Sequence, residues 1–220
     1  EIVSHSPADG YTLMVQSATH VANAHLYKTL PYDVLKDFIG ITTLARQVGM
    51  LVVHPSLKVN SVKELVALAQ TKPGALLYGT GNAGGSLHVA AEMFMIATHT
   101  KITRVPYKST GPALLGLLTQ EVHVVFATPG GAMPHIKDGK LKALAVTSAQ
   151  PFPLIPGVPT LASQGLRDYD LDTIGFIMAP LKTPPALIKR LNGHIVQIMH
   201  QPDVRDRLAA GGSEAVTGTP

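Results

Sequence analysis

The stretch Ala75–Phe94, ALLYGTGNAGGSLHVAAEMF, decides how this chain folds. An apolar run to Gly79 gives way to small and polar residues, and from Ser86 onward the apolar positions recur at helical spacing, so the stretch reads as strand, loop and helix. Lys72-Pro73-Gly74 separates it from what precedes. The same succession then repeats. ITRVPYK (102–108) reads as a strand and GPALLGLLTQ (111–120) as a helix. VHVVFA (122–127) is a strand, MPHIKDG (133–139) a short helix with a glycine stop, and LKALAVTS (141–148) a strand. Such alternation predicts βα units around a mostly parallel sheet, an α/β fold.

On the N-terminal side, Asp9-Gly10 marks a turn before a strand from Tyr11 to Val15, and Gln16 to His20 forms a polar loop leading to a helical patch. Strands follow at Ile39–Leu44 and Met50–Val53, the second closed by His54-Pro55. Asn60-Ser61 caps a helix over VKELVALAQ. On the C-terminal side the proline-rich Pro151–Pro159 is a loop and TIGFIMAP (173–180) a strand. A helix over Ala186–His200 opens on Pro184-Pro185, and a last one over Pro202–Ala209 ends at Gly211-Gly212.

Composition narrows the function. The 220 residues, 45% of them hydrophobic, suffice for one large domain or two small lobes. The net charge of +4 comes from 18 basic and 14 acidic residues without any basic block, and with no Trp and 5% aromatics a nucleic-acid surface is not expected. A mild positive field favours small anions. The absence of cysteine removes disulfides, thiolate chemistry and Cys-ligated zinc. No run of about 18 apolar residues occurs, so no membrane-spanning helix is expected.

Gly79, Gly81 and Gly84 match the dinucleotide spacing G-x-G-x-x-G. A dinucleotide site also needs an acidic residue roughly 20 positions on, at the end of the next strand. No Asp or Glu lies between Glu92 and Glu121, and no G-K-[ST] follows as a P-loop would require, so no cofactor is expected. What survives is more general. The small-residue loop Thr80, Gly81, Asn82, Ala83, Gly84, Gly85 delivers the chain into a helix at Ser86, whose first-turn amides suit a carboxylate or phosphate. Alone, the segment fits equally a loop that merely needs positive φ at several positions. Two more loops favour the anion: Lys108-Ser-Thr110-Gly-Pro112 and Phe126-Ala-Thr128-Pro-Gly-Gly131 also follow strands, and in a parallel sheet all three share one edge.

Ten histidines show no metal-ligand spacing, and no H-E-x-x-H or G-x-S-x-G motif is present. His88, in the first helical turn, either touches ligand or makes a structural hydrogen bond. No catalytic residue is assigned, and no sequence-evident base or orienting acid accompanies Ser86.

PADGYTL (7–13), YKTLPYDVLKDF (27–38), the long segment from Leu51 to Phe94, VPYKSTGPALLGLLTQEVHVVF (105–126), MPHIKDGKLKALAVTS (133–148) and PGVPTLASQGL (156–166) resemble, in order, segments of the tripartite tricarboxylate transporter substrate-binding proteins, also called Bug receptors. The resemblance covers essentially the whole chain. It implies a two-lobed periplasmic binding protein of the type II, Venus-flytrap kind that captures a small organic carboxylate or dicarboxylate in an inter-lobe cleft and delivers it to a membrane permease. Lobe I would comprise residues 1–53 and 177–220 and lobe II residues 54–176, with hinge closure between them.

Carried over by position, the resemblance places Ser17 and Thr19 on a lobe I loop and Thr80, Gly81, Asn82, Gly84, Gly85 and Ser86 on the carboxylate loop. His88 and Glu92 fall on the helix behind that loop, and Tyr107 to Pro112 on a second loop, with Tyr107 and Thr110 as candidates; Thr128 joins them from the third loop. Departures are also plain. The chain starts after the family's usual N-terminal strand and glycine-rich loop, without a signal peptide, and ends before its usual C-terminal helical extension. Phe126-Ala-Thr-Pro-Gly-Gly131 stands where many relatives carry F-D-N-x-P-S, losing an acidic side chain, and Ile174-Gly-Phe176 stands where they have Trp-[FY]-Gly. A ligand-responsive interaction or sensor module, or a hydrolase using Ser86 and His88 on the same scaffold, are the alternatives.

Overall fold

A computed structural model describes every residue except Ala18 and Tyr27, with the backbone alone for Thr19, Ala22, His25 and Leu26. In chain order the elements are β1 (Met14–Ser17), α1 (Thr19–Leu26), β2 (Phe38–Val48), β3 (Met50–Val53), α2 (Val62–Thr71), β4 (Leu77–Thr80), α3 (Ser86–Thr98) and β5 (Thr103–Pro106). There follow α4 (Thr110–Leu118), β6 (Val124–Ala127), α5 (Pro129–Lys137), β7 (Lys142–Val146), β8 (Asp172–Pro180), α6 (Pro185–Met199), α7 (Pro202–Ala210) and β9 (Ser213–Ala215). They form two units, Glu1–Gln47 with Thr173–Pro220 and Val48–Asp172. Both crossings of the chain lie a few residues earlier than the sequence-based boundaries at Val53-His54 and Phe176-Ile177. β3 pairs with β6 and β7 and so belongs wholly to the second unit, whereas β8 from Thr173 onward lies in the first, where it pairs with β1.

The first unit holds a four-stranded sheet in the order β1-β8-β2-β9, with β1 antiparallel to β8 and β2 antiparallel to β9. Helix α6 lays Ile188 and Leu191 onto Ile41, Ile177 and Ala179. Asn192 at the rim donates to the carbonyls of Ile41 and Gly218, both at 2.8 Å, and so ties the C-terminal segment down. His20 is buried against Tyr32, Phe38 and Phe176 and shares a hydrogen bond with the Val34 carbonyl at 3.2 Å.

The second unit is a five-stranded sheet in the order β5-β4-β6-β3-β7. β4 is parallel to both β5 and β6, and β3 alone runs the other way, antiparallel to β6 and β7. The sheet is covered on both faces, which is why β3 and β6 read as unbroken apolar runs and are buried at every position. Alternation divides their side chains. Leu51, Val53, Val124 and Phe126 meet α2 and α3 through Val62, Leu65, Ala90 and Phe94. Met50, Val52, Val125 and Ala127 meet α4 and α5 through Ala113, Leu117 and Ala132. At the chain's entry and exit from this unit, the buried Thr147 hydroxyl accepts from the Gly49 amide at 2.7 Å and donates to the Leu171 carbonyl at 2.8 Å. Among the described residues no helix is long and apolar enough to cross a membrane.

Several boundaries differ from the sequence-based ones. β1 begins at Met14, later than Tyr11, and β2 continues past Leu44 to Val48. Helix α5 starts at Pro129, so the third loop is itself a helix start; Pro129 occupies N1, where its missing N–H is harmless, and the interior Pro134 does not stop the helix.

Candidate functional site

Because β5, β4 and β6 are adjacent and parallel, the helices that follow them all start at one edge of the second sheet. The N-cap residues of α3, α4 and α5 are Gly85, Ser109 and Thr128, and none makes a side-chain cap hydrogen bond. Helix α2 shows the contrast. It follows the reversed strand β3 at the opposite edge, where Ser61 Oγ accepts from the Glu64 amide at 3.2 Å and the Glu64 carboxylate accepts from the Asn60 amide at 2.7 Å. That pair is a capping box displaced by one residue, because Glu64 reaches the amide before the N-cap rather than that of Ser61 itself. At the carboxyl edge no N-cap side chain meets the first-turn amides, and the helix dipoles add partial positive charge there.

The α3 start is shaped by two glycines with different tasks. A Cβ on Gly81 would stand 2.9 Å from Ser109 Cα, so this loop and the loop before α4 approach backbone to backbone. Gly84 has φ +77°, a left-handed conformation that side chains disfavour. Its N–H donates to His88 Nδ1 at 3.0 Å, while the Gly85 N–H donates to the Asn82 carbonyl at 3.2 Å. The first intrahelical bond runs from Val89 to the Gly85 carbonyl at 3.0 Å. Between them, the amides of Ser86, Leu87 and His88 have no hydrogen-bond partner among the described residues.

These groups face a bowl of about 180 Å³. Of the residues expected from sequence, Thr80, Gly81, Asn82, Gly85, Ser86, His88 and Thr110 line it. Leu87 and Ser109 line it too and were not foreseen. Ser109 carried the same signal as Thr110, a hydroxyl at a helix cap, whereas Leu87 enters through its position in the first turn and carries no polar signal. No lysine, arginine or carboxylate is part of the wall.

Behind the wall, His88 Nε2 lies 3.4 Å from Glu92 Oε1, which also accepts the Tyr78 hydroxyl at 2.5 Å. Burial, together with that carboxylate, pushes the Tyr78 phenol far above its usual range, so it stays a donor. Both ring nitrogens of His88 are thus engaged away from Ser86, and this geometry leaves Ser86 without His88 as a base.

The other candidates of the second unit, Gly84, Tyr107 and Thr128, do not line this bowl. Gly84 has its amide committed to His88. The Tyr107 ring packs against Gly79, and its hydroxyl lies beside Gly116 and the Glu121 carboxylate; burial and that carboxylate push its pKa up. Thr128 sits at the same sheet edge as the cap of α5 but is not part of the wall. Ser17 ends β1 and Thr19 opens α1 in the first unit, and the Thr19 side chain lies outside the described residues. A larger hollow of about 560 Å³ lies against Met93, Ile96 and Ala97, at the other end of α3, and residues 165–169. Among the described residues no His, Asp and Glu group could hold a metal ion.

The family model described as tripartite tricarboxylate transporter family receptor matches residues 1–219. Protein BugT of Bordetella pertussis is 32% identical over the whole chain, which spans 68% of that relative, and a protein of Pseudomonas sp. is 28% identical with 66% of it spanned. The chain therefore covers about two thirds of the length of these curated relatives. Among solved structures, R. palustris Rpa4515 with adipate superposes with a TM-score of 0.88 at 32% identity, covering all of this chain and 74% of that one. MatC of Rhodopseudomonas palustris with bound malate gives 0.83 at 27% identity, covering 97% and 73%. The fold is accordingly the α/β fold of periplasmic binding proteins, and the chain belongs to the tripartite tricarboxylate transporter receptor family, a family of solute-binding receptors.

Proposed function

We propose that this chain captures a small organic carboxylate at the carboxyl edge of its second sheet, as the receptor of a membrane permease, on the outer side of the cytoplasmic membrane. The observation that carries the reading is the group of open amides at Ser86, Leu87 and His88 facing a bowl without a fixed cation. Hydrogen bonds from amides to an anion contribute roughly 1.5–3 kcal/mol each, so three of them, with the hydroxyls of Thr80, Ser109 and Thr110, hold a carboxylate without an arginine. Adipate and malate in two related structures support the ligand class.

The neutral wall also has a consequence for selectivity. Lysine attracts any anion from a distance, whereas a rim of amides and hydroxyls selects a small, planar acceptor that enters it. Titration calorimetry with adipate, malate and their diamides is the test. The acids are expected to bind and the diamides to fail. A folded chain that takes up neither acid would refute the reading.

A further inference from the structure

We propose that His88, oriented by Glu92, is a positioning residue that clamps the glycine loop and makes capture of the anion sensitive to a single proton. The proposal rests on the receptor reading above and adds its regulation. His88 is the third residue of α3, and its Nδ1 accepts the N–H of Gly84, two residues before the helix. This is the return half of the displaced box at α2, with an imidazole in the place of the Glu64 carboxylate and Gly85 offering no side chain for the other half. An Nδ1 that accepts is bare, so the neutral ring carries its hydrogen on Nε2, which faces Glu92. Glu92 is held in turn by Tyr78 from β4. The four groups form one chain: Tyr78, Glu92, His88 and the Gly84 peptide.

A second proton on the imidazole can only go to Nδ1. There it meets the Gly84 N–H head on, and the bond that orients the loop is lost. Gly84 and Gly85 lead directly into the three open amides, so the rim shifts with them. Glu92 faces it from α3 and Tyr78 stands behind Glu92 on β4, while Arg104 on β5 acts on the Tyr78 hydroxyl. The remaining walls, Asn82, Ser109 and Thr110, are uncharged. A protonated His88 also attracts an anion, but Glu92 at 3.4 Å offsets that charge and the open bowl is screened by salt, so the loss of loop geometry decides the sign. Binding of that second proton therefore weakens capture.

The first measurement needs no ligand: ¹⁵N NMR of the chain across pH 5–8. The expected result is an Nε2–H tautomer for His88 at high pH and a Gly84 amide resonance that moves with the imidazole at one midpoint. The second is calorimetry with adipate and malate. Affinity is expected to be about tenfold lower at pH 5.5 than at pH 8, as for one lost hydrogen bond. His88→Ala lowers the affinity and flattens the profile, whereas His88→Gln, which restores an acceptor, recovers affinity and keeps the profile flat. A Gly84 amide indifferent to the imidazole, or an affinity that holds or rises in acid, overturns the proposal. If the Gly84 amide follows the imidazole but neither acid binds at any pH, the clamp stands and the receptor reading is the one that fails.

Discussion

Gly81→Ala tests the geometry of the bowl most directly. The new Cβ would lie 2.9 Å from Ser109 Cα, 3.0 Å from Ser109 C and 3.1 Å from Thr110 N, all backbone atoms that cannot rotate aside. Carbon atoms pack at about 3.5–4.0 Å, so the two loops must part by roughly 0.5–1 Å. Overpacking of this kind costs about 1–3 kcal/mol, which for a chain of this size lowers Tm by about 3–10 °C. The affinity loss has a separate origin. In the proposed scheme the ligand is held from both sides of that contact, by α3 amides and by the Ser109–Thr110 hydroxyls, and separating them misaligns at least one bond. Such a bond contributes about 1.5 kcal/mol or more, so the Kd for adipate should rise at least tenfold or so. Thermal unfolding and calorimetry on the same preparation read both effects. Gly193→Ala is the control: no atom lies within 4 Å of its Cβ, it sits inside α6, and alanine there should stabilise by about 0.5–1 kcal/mol. Wild-type affinity in Gly81→Ala would refute the reasoning, because it would mean that the two loops do not share the ligand.

Three further substitutions separate stability from capture. Ser86→Asp puts a carboxylate in the first turn of α3, where it should stabilise the helix by about 0.3–1 kcal/mol while occupying the anion's place; a higher Tm with lost adipate binding is expected. Thr147→Val keeps the shape but strips acceptor and donor from the buried Gly49 amide and Leu171 carbonyl, at about 1–3 kcal/mol for each unpaired group, read by denaturant unfolding. Ser61→Ala removes the α2 cap at the far edge and should cost about 1 kcal/mol in the same assay, with the Kd for adipate unchanged.

Much of the second unit was legible because its signals are local. Lys72-Pro73-Gly74 and the apolar runs of β3 and β6 fix strand positions, and the repeating strand and helix order places three loops on one edge. What was not legible depends on partners far along the chain. Strand β9 is three mostly polar residues that become a strand only by pairing with Ala45, Arg46 and Gln47. The helix start at Pro129 was hidden by Gly130-Gly131, which read as loop because glycine is a poor helix former, yet the buried Ala132 anchors the turn. Tyr107 looked like a ligand group by position. Gly116 leaves room for its hydroxyl beside Glu121, and that vacancy in α4 cannot be read from the residues around Tyr107. The division of amides was equally hidden: five consecutive N–H groups from Gly84 to His88 look equivalent in sequence, and only the folded loop commits the first two.

That division gives the site its character. Natural helices gain about 1 kcal/mol from a side-chain cap, and this chain uses one on α2, where nothing binds in the proposed scheme. Beside the bowl the cap position of α3 is Gly85, which has no side chain to offer, and Ser109 at α4 leaves its hydroxyl out of any cap bond. Two successive helices therefore begin with unmet donors at the one edge where parallel strands bring their starts together. In the proposed scheme a ligand carboxylate supplies the missing acceptor, so the stabilisation that a cap would have given at all times appears on binding instead. It follows that adipate should raise the melting temperature of wild type by more than simple occupancy of a pre-capped site would, and that Ser86→Asp, already carrying its acceptor, should show no further rise. Equal ligand-induced shifts in the two proteins would mean that the open amides are not where the anion sits.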